Sequence, residues 1–156
     1  FFKRKNKHYE LKIGSQSINN KEITINEILN GHDNLILKID IEGSEYKILK
    51  QILSNAKKIN TLLIEFHDIQ KNMNFIKEFI ELSNDLKLIH IHGNNCSSTD
   101  KNINPNIIEL TFTNIKKIGF KQKITKKNYP IDKLDYKNIT RKKDFILKFE
   151  EETKIS

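Results

Sequence analysis

The sequence predicts an α/β domain amounting to half of a doubly wound sheet, with parallel strands and a closing antiparallel pair. Three observations predict it. Aliphatic runs at residues 34–41, 62–66, 88–92 and 107–112 have the length and near-continuity of strands covered on both sheet faces. Two stretches with apolar residues at helical spacing separate the first three runs. The last two are joined by a polar stretch with no helical period, residues 93–106. Strand, helix, strand, helix, strand implies right-handed crossovers and parallel pairing. A connection without a helix implies an antiparallel return.

Taken in order, Tyr9 to Ile13 alternates weakly and reads as a strand, and Gly14 to Lys21 is polar and turn-like. Ile23-Thr24-Ile25 leads into one helical turn over Asn26 to Leu29, closed by Asn30-Gly31. The run Asn34 to Ile41 is the clearest strand. Gly43 ends it, and Ser44 is placed to cap a helix whose apolar stripe is Tyr46, Ile48, Leu49, Ile52, Leu53 and Ala56. Lys57 and Lys58 fall in its last turn, where cations suit the dipole. Leu62 to Phe66 is a second strand, ending at His67-Asp68. Met73, Ile76, Phe79, Ile80 and Ser83 share one face of the next helix. Leu88 to His92 and Ile107 to Phe112 are the closing strands, and Phe145-Ile146-Leu147 is an isolated apolar stretch that can dock as a strand or short helix.

The chain has 156 residues, enough for one domain with a modest core. No apolar run reaches the about 20 residues of a membrane span. A single cysteine, Cys96, excludes a disulfide framework and suits a reducing, cytoplasmic compartment. The net charge is +8 and the pI about 9.4, which suggests nucleic acid. The distribution argues otherwise. Residues 1–21 carry six Lys/Arg against one acid, residues 22–113 nine against thirteen, and residues 114–156 thirteen against six. The basic excess lies at the two ends while the patterned middle is acidic, and nucleic-acid domains more often set basic residues among aromatics on ordered elements. The division expected is a basic N-terminal segment 1–21, a folded unit 22–113 and a basic extension 114–156.

In open parallel sheets, ligands bind beyond the carboxyl ends of the strands. Polar residues gather there: Asp40 and Glu42 after the first main strand, Glu65, His67 and Asp68 after the second, and His92, Asn94 and Asn95 after the third. A returning fourth strand adds Glu109. Strand alternation puts Lys38 and Asp40 on one face, and Leu63, Glu65 and His67 on one face of theirs. The candidates for proton transfer or acceptor positioning are Asp40, Glu42, His67, His92 and Asn94. Each also admits a structural role. Lys38 and Asp40 can be an ion pair, Glu42 a charge favouring a helix dipole, His67 a turn residue, and Asn94 and Asn95 the makers of a turn. His90 lies within a strand and favours a structural part.

There is no Gly-x-Ser-x-Gly elbow, no Gly-x-x-x-x-Gly-Lys-Ser/Thr loop and no His-Glu-x-x-His. His90-Ile91-His92 holds a metal only with further ligands, and no spacing is diagnostic of one.

One segment carries a family likeness. Leu37-Lys38-Ile39-Asp40-Ile41-Glu42-Gly43-Ser44-Glu45 resembles the signature of FkbM-type methyltransferases. Ile23 to Leu29 resembles the segment before that signature, Leu63 to His67 the next strand, and Leu88 to Asn95 with Pro105 to Phe112 the closing hairpin of one branch. Tyr129 to Asp135 resembles a C-terminal extension of that branch. The likeness spans roughly residues 22–145.

The resemblance implies the C-terminal half of a Rossmann-like class I sheet and an S-adenosylmethionine-dependent transferase. It would methylate an oxygen of a sugar or other small metabolite, with a small-molecule or glycan acceptor. The glycine-rich turn that holds the methionine part of the cofactor has no counterpart, nor has the acidic residue that binds the ribose. The expectation is therefore a methyltransferase fragment whose cofactor-binding half lies upstream of Phe1, inactive alone. Two rivals stand beside it: a basic nucleic-acid-binding module using the two ends, and a non-catalytic interaction domain derived from a methyltransferase.

Overall fold

In the computed structural model, the residues described are 11–16, 21–99, 104–119 and 128–148. A two-stranded parallel pair, β1 (Lys12–Ile13) and β2 (Glu22–Ile23), leads into helix α1 (Ile25–Ile28). Thr24 caps α1 through a reciprocal arrangement: its hydroxyl accepts from the Glu27 amide, and the Glu27 carboxylate accepts from the Thr24 amide. Strand β3 (Leu35–Ile39) follows, then α2 (Leu49–Ser54), β4 (Ile59–Phe66), α3 (Ile69–Leu82), β5 (Leu86–Gly93) and β6 (Ile108–Asn114). A short helix α4 (Ile115–Ile118) closes β6, and β7 (Asn128–Tyr129) pairs antiparallel with β8 (Leu147–Lys148).

The main sheet has the order β3-β4-β6-β5. β3 and β4 are parallel, and β6 runs antiparallel to both of its neighbours, as expected for a strand reached by a loop without a helix. β6 lies between β4 and β5 rather than outside them, so Glu109 is set between Glu65 on one side and His92 on the other. That insertion brings three polar residues from three strands into one row.

The core lies on one face of the sheet. Ile39, Leu62, Ile64, Phe66, Leu110 and Phe112 point into it and meet Ile25 and Leu29 of the α1 region, Ile48, Leu49 and Ile52 around α2, and Ile76 and Phe79 of α3. Phe79 packs edge-on against Phe112, ring centroids 5.3 Å apart. Each fully buried Leu, Ile or Phe contributes on the order of 2 kcal/mol by leaving water, so this single layer of contacts carries the fold.

The structure corrects several of these expectations. The opposite face is not covered over β3 and β4: Ile36 is 75% exposed and Leu63 37%. Among the described residues no helix packs there, so continuous aliphatic runs did not mean two covered faces. The helix expected across Tyr46 to Ala56 is broken into a 3-10 turn at Glu45–Lys47, α2, and a second 3-10 turn at Ala56–Lys58. Ser44 makes no side-chain cap bond. Met73, expected on the apolar face of α3, is 38% exposed, while Ile69, Ile76 and Phe79 are buried. Within the basic extension, residues 128–148 lie along β5. Gly93 makes room, since a Cβ there would come within 3.0 Å of the Phe145 Cβ. Much of the basic segment 1–21 lies outside the described residues.

Candidate active site at the carboxyl edge of the sheet

The turn after β3 has a backbone that few residues adopt. Glu42 has φ 52° and Gly43 φ 92°, both left-handed. Glycine accepts this freely, a glutamate less readily. What holds the turn is Glu45, fully buried, whose Oε1 accepts the amides of Ile41 (3.2 Å) and Gly43 (3.1 Å). The turn throws Glu42 outward, while Asp40 stands on the same face as Lys38, its Oδ2 3.9 Å from the lysine Nζ.

His67 follows β4, one residue before the left-handed Asp68 that opens α3. Its Nδ1 is 3.1 Å from Glu45 Oε1; its Nε2 is 3.2 Å from Glu42 Oε2 and 3.5 Å from Glu65 Oε1. The Tyr46 hydroxyl donates to the His67 carbonyl and fixes the backbone beneath the ring. Burial pushes the Glu65 carboxyl up, and the charges of Asp40 and Glu109 push it the same way. Asn94 donates its amide to Glu65 Oε1 (3.4 Å), and its own Oδ1 accepts the Cys96 amide (2.9 Å).

His92 is buried between two carboxylates. Nδ1 lies 3.2 Å from Glu109 Oε2 and Nε2 3.3 Å from Asp144 Oδ2. The hydrogen bond to Glu109, joined by that to Asp144, raises its pKa to about 9 against the opposing effect of burial. The same bond holds Glu109 below the usual carboxylate range. Beside it His90 binds Asp135 at 2.7 Å and packs against the Tyr129 ring, and Asn95 grips the backbone of Ile139 in both directions. Asn138 donates to Glu109 Oε1. The extension is thus strapped to β5 and the loop after it.

The structure brings together Asp40, Glu42 and His67, each with one ligand-type atom within 4.8 Å of the others. Asn94 joins through Glu65. His92 stands one residue further along the row, connected through Glu109, with both ring nitrogens engaged. Glu45, Asp135 and Asp144 were not among the sequence candidates. Glu45 was visible only as the last residue of the family-like segment, and the two aspartates, in a basic stretch without periodicity, carried no signal. Cys96 is free and exposed.

Carboxylates and imidazoles converge where the parallel strands of this mixed sheet end, the place where open α/β sheets bind ligands. The chain belongs to the FkbM methyltransferase domain family: that family's model matches residues 3–89, more than half of the sequence. The match takes in β3, its signature turn, β4 and α3. No curated protein and no solved structure matches the chain. No helix among the described residues is long and apolar enough to cross a membrane.

Proposed function

We propose that these residues form the acceptor side of an S-adenosylmethionine-dependent O-methyltransferase acting on a sugar or other small hydroxylated metabolite. The observation that carries this is the convergence of Asp40, Glu42 and His67 at the end of adjacent parallel strands, within the stretch matched by the family. An antiparallel β6 lodged between two strands that run the other way supports a class I, Rossmann-like sheet. A cytoplasmic location belongs to the same reading and is supported by the single cysteine.

The described residues do not form a cradle for the cofactor. The five glycines are scattered, and in the turn after β3 the amides of Ile41 and Gly43 are taken by Glu45. The cofactor supplies an activated methyl group; what these residues do concerns the acceptor. For a hydroxyl to accept that methyl group, its proton would have to be removed by a residue at this edge. Asp40 takes it, with Glu42 and His67 positioning the hydroxyl and Asn94 holding Glu65 in place. His92 keeps Glu109 charged and the extension closed over the row.

Radiolabelled S-adenosylmethionine incubated with the gene product and panels of hydroxylated metabolites and glycans tests this. Label recovered as an alkali-stable ether methyl supports the proposal. Label transferred to nitrogen, or to none of the panel, counts against it.

A further inference from the structure

We infer that Asp40, Glu42 and His67 form a binding site for one divalent metal ion, for which Mn2+ is the fitting probe. The three residues offer an imidazole nitrogen and two carboxylate oxygens, all within 4.8 Å of one another. Ligands at right angles on a cation with bonds of about 2.2 Å lie about 3 Å apart, and His67 Nε2 and Glu42 Oε2 are 3.2 Å apart.

A patch of acids alone would mean little. The buried Glu45 adds an independent observation. A carboxylate oxygen that already accepts two backbone amides can only accept from His67, so Nδ1 carries the hydrogen and Nε2 is turned toward the carboxylates of Glu42 and Glu65. This is the carboxylate–histidine arrangement that sets a metal-ligating tautomer. The other oxygen of Glu45, also buried, has no donor. Four carboxylates, those of Asp40, Glu42, Glu45 and Glu65, therefore surround one imidazole, and the ammonium paired with them, Lys38, stands 3.9 Å from Asp40 in an exposed position. An imidazole with carboxylates suits Mn2+ or Zn2+, and three protein ligands leave positions for water or an acceptor oxygen. Asp40 supplies one oxygen and keeps the other for the acceptor's proton.

The test needs neither cofactor nor acceptor, so its failure is separate from that of the methyl-transfer proposal. The full chain, freed of metal with chelator, is titrated with MnCl2 and followed by calorimetry and electron paramagnetic resonance. Binding of one equivalent is expected, with nitrogen coupling from His67. Glu42→Gln, whose side chain is 85% exposed and does not support the fold, should weaken binding at least tenfold with the metal-free melting temperature unchanged. His67→Gln should abolish the nitrogen coupling, and His32→Gln at an exposed turn should change neither. Absence of saturable binding overturns the inference, as does undiminished affinity in Glu42→Gln.

Discussion

Glu45 Oε1 lies 3.1 Å from His67 Nδ1, and the same oxygen holds the amides of Ile41 and Gly43. One buried carboxylate therefore shapes the turn after β3 and aims the ring that follows β4.

Glu45→Ala should accordingly destabilise the protein by about 2–4 kcal/mol, because two buried amides and an imidazole lose their partner. Glu45→Gln can still accept from the amides and should recover most of that loss. Denaturant midpoints of the three proteins measure this, and equal stability of the alanine variant would remove Glu45 from its place.

The extension's docking depends on pH through His92. Its folded pKa, about 9, stands above the unfolded 6.5. The stabilisation is complete below pH 6.5 and is lost as pH rises through about 9. Glu109, held low, works in the opposite direction: its share is present above its unfolded value and lost as pH falls. Melting temperature should therefore decline between pH 6.5 and 9.5, and His92→Gln should flatten that slope. Limited proteolysis within residues 130–145 should speed up over the same range.

Asn95 grips Ile139 from both sides, its Oδ1 2.7 Å from the Ile139 amide and its Nδ2 2.9 Å from the carbonyl. Asn95→Ala should loosen the extension without unfolding the sheet. Hydrogen exchange at Ile139 should rise at least tenfold while amides of β4 keep their protection.

Phe112 is fully buried at the crossing of β6 with α3. Phe112→Ala should cost about 3–5 kcal/mol. Where the core of the described residues covers one sheet face, that is a large share of the total, and partial unfolding near ambient temperature is the expected result in thermal melts.

The strands at β3, β4, β5 and β6 were legible because aliphatic runs and turn residues mark them, and the antiparallel return of β6 followed from a helix-free loop. Its insertion between β4 and β5 was not legible, since pairing partners leave no local pattern. Asp40, Glu42 and His67 could be listed from their positions at strand ends. That Glu45 governs them was hidden, because a glutamate near a helix start reads as a dipole partner. His92 shows the same limit: its carboxylate partners come from positions 17 and 52 residues further on. The likeness expected over roughly residues 22–145 is matched by the family over 3–89, leaving β6 and the extension to be judged on their contacts.

The most direct measurement compares methyl transfer by the gene product carrying these residues with that of its Asp40→Asn variant, at saturating S-adenosylmethionine. Turnover should fall tenfold or more in the variant, in line with acid–base contributions of about 100-fold or more, while its melting temperature stays that of the wild type. Equal turnover of the two proteins would contradict the assignment of this sheet edge as the acceptor site.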